Sequence, residues 1–191
     1  MIRIDICADQ LARHPAKMPI KAEAGAMMAA LLPMTLPANR EGTIRAEAVR
    51  AAARAELATL YEPMPAQLEM VEAIRDALPQ AIIVGDSTQP IYAANLYYDH
   101  DRPRGWFNAA TGYGALGYGP GAAVGAAIAA PGVPVVCLIG DGGLQFSPGE
   151  LRTALDEKLP ITFVVWNNAG FREIAEALRQ IRIAGGQHGD S

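Results

Sequence analysis

A chain of 191 residues that is 51% hydrophobic, with 19 glycines and only 6% aromatics, can bury the core of one full domain and part of another, which excludes a disordered polymer. Its formal charge of −4, with no cluster of Lys and Arg interleaved with aromatics, argues against nucleic acid as a partner. Cys7 and Cys137 stand far apart in apolar, strand-like runs without Cys-x-x-Cys or Cys/His spacing. They are expected to be buried thiols in a reducing cytoplasm, holding neither zinc nor iron.

In chain order, Ile2-Arg3-Ile4-Asp5-Ile6 alternates apolar and polar residues and predicts a strand, and a short helix is expected near Ala22 to Leu32. The opening residues lack a basic head followed by an apolar core, so no secretory leader is expected. Pro33, Pro37 and Asn39 mark a linker, which assigns residues 1–40 to the end of one domain and residues 41–191 to a second. A charged, alanine-rich helix from about Thr43 to Leu60 comes next. A second, roughly Ala66 to Leu78, places Leu68, Val71, Ile74 and Leu78 on one face.

The apolar run Ala81 to Val84 then predicts a buried strand. Helices near Pro90 to Leu96 and Gly117 to Ala130, a strand over Val133 to Ile139, a helix near Pro148 to Asp156, a strand over Ile161 to Trp166 and a helix near Phe171 to Ile183 follow. This alternation points to an α/β fold with a parallel, doubly wound sheet. No charge occurs between Arg104 and Asp141. Gly114, Gly117, Gly119, Pro120, Gly121, Pro131, Gly132 and Pro134 punctuate that run, however, so a buried helix and strand are expected there and not a membrane span.

In such a sheet, ligands sit outside the C-terminal strand ends. One of these carries Gly140-Asp141-Gly142-Gly143, where glycine lets the backbone approach an anion and adopt positive φ, and Asp141 is the only acid. The next carries Asn167-Asn168-Ala169-Gly170. A hard cation bridging two phosphates takes oxygen ligands in near-octahedral geometry. Asp141, the Asn168 amide oxygen and the Gly170 carbonyl would form the protein's share of that shell. Between Gly-Asp-Gly and Asn-Asn lie 24 residues, 143 to 166, room for one helix and one strand, so both turns reach the same sheet edge.

This spacing resembles the signature of thiamine diphosphate (ThDP) dependent enzymes. The resemblance covers most of the chain: Ile4-Asp5-Ile6 is similar to the last strand of the family's central, Rossmann-like domain, and Ala81 to Ile183 to its diphosphate-binding domain. Asp86-Ser87-Thr88-Gln89, Tyr92 to Tyr97, Trp106 to Ala109 and Gly112 to Gly119 are similar to the acetolactate-synthase-like decarboxylases, those acting on 5-guanidino-2-oxopentanoate above all. The resemblance implies Mg²⁺ and ThDP as cofactors. It assigns Ser87, Thr88 and Gln89 to the loop that contacts the diphosphate, and Gly142 and Gly143 to amides donating to it. Gly114 and Gly140 belong to the same cofactor-binding loops. Leu116 matches the apolar residue that props ThDP into a bent shape; the alternative is a core leucine on a helix.

Glu173 lies one position before a glutamate that some family decarboxylases use in catalysis, and its alternative is a solvated helix side chain. His14, His100 and His188 have no partner at useful spacing. Trp106 and Trp166 are expected in core or interface packing, and Arg102 and Arg104 as loop charges able to meet a carboxylate. Gly112 to Gly117 fits a dinucleotide spacing by letter, yet it follows no evident strand and lacks a placed acid.

The implied activity is decarboxylation of a 2-oxo acid in the cytoplasm, by a homo-oligomer without membrane or nucleic-acid partners. A pyrimidine-binding domain or subunit, which carries the activating glutamate in the family, is not recognisable in this sequence. The chain alone is therefore expected to be inactive, a C-terminally incomplete part of a larger enzyme. The alternatives are an acetolactate-synthase-type carboligase and a non-catalytic, truncated cofactor-binding remnant.

Overall fold

The structure, a computed structural model, describes residues 1–34, 40–59, 63–100, 102–170, 174–175, 177–179 and 181. It divides into two compact units, Met1–Ala51 and Ala52–Ser191.

In the first unit the opening alternation forms β1 (Ile2–Asp5), which pairs in parallel with β2 (Met18–Lys21), Ile2 opposite Met18 and Asp5 opposite Lys21. A parallel pair needs a crossover. α1 (Ala8–Ala12) supplies it, and α2 (Ala24–Leu31) follows β2 inside the expected 22–32 window. Glu23 caps α2, its carboxylate accepting from the Ala26 N–H at 2.8 Å. That bond, helped by the Gly25 N–H, lowers the Glu23 pKa. At five and four residues, α1 and β2 are too short to leave a periodic signature. Cys7 corrects the expectation of two buried thiols. The strand ends at Asp5, and Cys7 lies exposed at the N-cap of α1, whereas Cys137 is buried as expected.

The division falls within α3 (Arg40–Leu57), and α4 (Pro63–Ala77) comes next. Then follow β3 (Ile82–Gly85), α5 (Gln89–Tyr97), β4 (Trp106–Asn108), a 3₁₀ turn (Ala109–Thr111), α6 (Tyr118–Ala129), β5 (Val135–Gly140), α7 (Asp141–Leu144), α8 (Gly149–Asp156) and β6 (Ile161–Trp166). Residues 174–175, 177–179 and 181 are helical, within the helix expected over 171–183. The uncharged run from 105 to 140 becomes β4, α6 and β5. Among the described residues no helix is long and apolar enough to cross a membrane.

All four strands of the second unit's sheet are parallel, in the order β4-β3-β5-β6. Period-two alternation along β5 gives the sheet two apolar faces. Val135, Cys137 and Ile139 pack with Val84, Ala123 and Ala127 on the α6 side, while Leu138 packs with Leu68, Val71, Ile91 and Ala94 from α4 and α5 on the other. Helices thus cover both faces, as expected for a doubly wound sheet. From β3 the chain runs outward to β4, then crosses back to β5 on the opposite side of β3. This reversal opens a crevice at the C-terminal ends of β3 and β5.

Candidate functional site

The loops leaving β3, β5 and β6 converge on one cleft of about 240 Å³. Ser87, Thr88 and Gln89 enter it from β3; Gly140, Asp141, Gly142 and Gly143 from β5; Asn168 and Gly170 from β6. Gly114 and Leu116, on the turn before α6, line the remaining side. Every cofactor and metal candidate read from the sequence therefore lines this cleft, whereas Glu173, a candidate for catalysis, lies outside the described residues. Tyr92 and Ile174 also line it, and no spacing argument had singled them out.

Gly140-Asp141-Gly142-Gly143 is the start of a helix and not a positive-φ turn. Gly140 has φ −76°, and α7 begins at Asp141. The first N–H groups of a helix have no partner within it, so the amides of this turn remain available as donors. Gly143 is required for space: a Cβ there would lie 2.8 Å from Asp86 Oδ1 and 3.2 Å from Ile139 Cγ1.

Asp86 is the structural residue that the sequence did not reveal. It is fully buried beneath the loops, Oδ1 accepting from the Ser87 N–H and Oδ2 from the Gly119 N–H, each at 2.8 Å. One carboxylate thus ties the β3 loop to the start of α6. The turn carrying Leu116 is held at both ends, because Ser87 Oγ donates to the Gly114 carbonyl at 2.9 Å and Ser147 Oγ to the Gly117 carbonyl at 2.8 Å. Gly117 adopts φ 82°, and a Cβ there would stand 2.6 Å from Phe146 Cβ. Leu116 is half-buried in this turn, ahead of α6, so the alternative of a core leucine on a helix does not hold.

At the β6 edge, Gly170 has φ 153°, a conformation that L side chains rarely adopt. Asn168 donates from Nδ2 to Gln89 Oε1 at 3.2 Å, while its Oδ1 is buried and has no hydrogen-bond partner among the described residues. Buried side-chain oxygens are nearly always satisfied, so this atom calls for a ligand. Among the described residues no three His, Cys, Asp or Glu side chains gather to hold a metal. A cation here would depend on one carboxylate, one amide oxygen, backbone and ligand oxygens.

Three further sequence expectations change. His100 does have partners: Arg75 Nη2 lies 2.9 Å from its Nε2, and the Arg102 N–H donates to its Nδ1 at 3.0 Å. Among the described residues Arg102 meets no carboxylate and donates instead to Gln80 and to the Ala81 carbonyl. Trp106 packs as expected, with its ring centroid 5.3 Å from that of Tyr98. Gly112 to Gly117 does follow a strand, β4, with one 3₁₀ turn between.

The model of the thiamine pyrophosphate enzyme C-terminal TPP-binding domain matches residues 84–183. Over 186 residues the chain is 35% identical to the probable 2-ketoarginine decarboxylase AruI of Pseudomonas aeruginosa, a match covering 95% of this chain and 32% of that protein. Over 88 residues it is 43% identical to the acetolactate synthase isozyme 3 large subunit of Escherichia coli, covering 46% of this chain and 15% of that one. Among solved structures, a putative thiamin diphosphate-dependent enzyme from Mycobacterium smegmatis superposes with a TM-score of 0.60 at 26% identity, over 87% of this chain and 32% of its own. The chain thus spans about a third or less of the length of these relatives, and it belongs to the thiamine pyrophosphate enzyme family, carrying that family's C-terminal TPP-binding domain.

Proposed function

We propose that the cleft holds the diphosphate of ThDP with Mg²⁺, as the cofactor half of a 2-oxo acid decarboxylase. The observation that carries this reading is the buried, unpartnered Asn168 Oδ1, one strand end away from Asp141 in the same cleft. An amide oxygen, a carboxylate and the Gly170 carbonyl form the donor set that a hard cation takes, with phosphate oxygens completing the shell. The first-turn amides of α7 and the side chains of Thr88 and Gln89 supply neutral donors to phosphate oxygens, and helix dipoles favour the negative charge. Leu116 closes the apolar side of the cleft. When bound, ThDP serves as an electron sink for loss of carbon dioxide; these residues bind and orient it.

Asp141 is the single carboxylate among the described residues lining the cleft, and it is assigned to the cation. The glutamate that the family uses to activate its cofactor is therefore expected from a pyrimidine-binding domain elsewhere in the complete assembly, a homo-oligomer. The similarity to the P. aeruginosa protein over 95% of this chain favours 5-guanidino-2-oxopentanoate, which is 2-ketoarginine, as substrate. A carboligase acting on pyruvate is the second reading, favoured by the 43% identity with an acetolactate synthase. Carbon dioxide and acetolactate should be measured with each 2-oxo acid, for the chain alone and for the chain mixed with the pyrimidine-binding part. The expected result is no turnover alone and decarboxylation of the guanidino acid in the mixture. Steady carbon dioxide release by the chain alone would overturn the need for a partner, and acetolactate from pyruvate would favour the carboligase.

A further inference from the structure

The Asn168 amide is oriented by Gln89, which comes from the end of β3, and through it by Trp166 at the end of its own strand. Trp166 Nε1 donates to Gln89 Oε1 at 3.4 Å, and Asn168 Nδ2 donates to the same oxygen at 3.2 Å. An indole nitrogen is a donor only, so the Gln89 atom that faces Trp166 must be the carbonyl oxygen. An oxygen fixed there takes its second hydrogen bond from another donor, so the Asn168 atom facing it must be Nδ2. Oδ1, buried and without a partner among the described residues, is left as the end of the amide turned away from Gln89. Turning that amide over would set oxygen against oxygen at Gln89 and present N–H groups where a cation needs a lone pair.

We propose that Trp166 and Gln89 form a polarity relay that holds Asn168 with Oδ1 as the cation-facing atom, making both of them positioning residues for the metal. The inference rests on reading the cleft as a magnesium and diphosphate site. Trp166, half-buried at the end of β6, thereby has a role beyond packing. Gln89 acquires two tasks: its oxygen sets the polarity of Asn168, while its amide nitrogen end, turned away from Trp166, is a donor suited to a diphosphate oxygen. Partners of this outer kind orient the ligands of metal sites generally, and losing one costs metal affinity although the ligand itself is intact.

The test uses the full chain with excess ThDP and Mn²⁺ as the probe, free Mn²⁺ being read by electron paramagnetic resonance. Trp166→Phe and Gln89→Leu should each weaken Mn²⁺ binding by about tenfold. The double variant should be no weaker than Gln89→Leu alone, because both changes cut the same relay and only Gln89 also meets the diphosphate. In an Asn168→Asp background both ends of the side chain are oxygens and polarity has no meaning, so adding Trp166→Phe should change Mn²⁺ affinity by less than about twofold. Equal losses in the two backgrounds, or additive losses in the double variant, would mark Trp166 as mere packing and overturn the relay. Circular dichroism and thermal midpoints monitor folding, and if Trp166→Phe unfolds, the excess loss that Gln89→Leu causes in the wild-type over the Asn168→Asp background carries the same test, its diphosphate contact being common to both. Wild type that binds Mn²⁺ alongside relay variants that bind it equally well would remove the relay alone. Wild type that binds no Mn²⁺ in the presence of ThDP would remove the reading of the cleft and the relay with it.

Discussion

Cys137 lies on β5 fully buried beside Asp86, and burial, with the Asp86 charge adding to it, pushes its thiol up from an ordinary 9.0 to about 12. Cys7 is exposed at the start of α1. Ellman's reagent at pH 8 should therefore titrate one thiol quickly in the native chain and the second only on unfolding; two fast thiols would contradict the packing of β5 against α6. The sign of the pH effect follows from the raised native value. Below pH 9 both states keep the proton, and the thiol's contribution to stability is fully present. Between 9 and 12 the unfolded chain loses a proton that the native chain retains, so this contribution falls as pH rises. At this scale the sequence was informative where chemistry is local. That Asp141, Asn168 and Gly170 would reach one cleft was legible because they stand at strand ends a fixed spacing apart. Gln89 lies 79 positions from Asn168, and Asp86 lies 33 from Gly119, so hydrogen bonds of that reach left no local signal.

Among the elements, apolar runs long enough to show a period were legible: β6 occupies the expected 161–166, and β5 and α6 fall within two residues of their expected bounds. β4, with three residues, and α7, with four, were not, because neither completes a pattern that alternation or helical spacing can mark. The glycines of α7 mislead for a related reason. Glycine signals either positive φ or missing space, and only the folded neighbour tells which. At Gly143 that neighbour is the Asp86 carboxylate. Gly143→Ala should destabilise the chain by about 1–3 kcal/mol, since the added methyl must displace a buried group that holds two backbone N–H groups. Gly125, midway along α6, has open space around the corresponding position, so Gly125→Ala should stabilise by up to about 1 kcal/mol through helix propensity. Urea unfolding of the two variants checks both signs, and a neutral Gly143→Ala would contradict the close contact at Asp86.

For the whole molecule, alternation of helices and strands was enough to give a parallel, doubly wound sheet. The strand order β4-β3-β5-β6 was not legible, since pairing across the sheet joins segments distant in the chain. That order matters for function because it places the ends of β3, β5 and β6 on one edge, where Thr88, Asp141 and Asn168 share a cleft. All of these residues belong to the unit Ala52–Ser191, so the proposed site needs only that unit for its cation and diphosphate contacts. The most direct test is calorimetric titration of ThDP into the full chain with and without Mg²⁺, for wild type and Asp141→Ala. Magnesium-dependent binding in wild type, weakened at least about tenfold by the substitution, is the predicted result. Binding that ignores Mg²⁺, or no binding at all, would contradict the assignment of this cleft to the metal and diphosphate of ThDP.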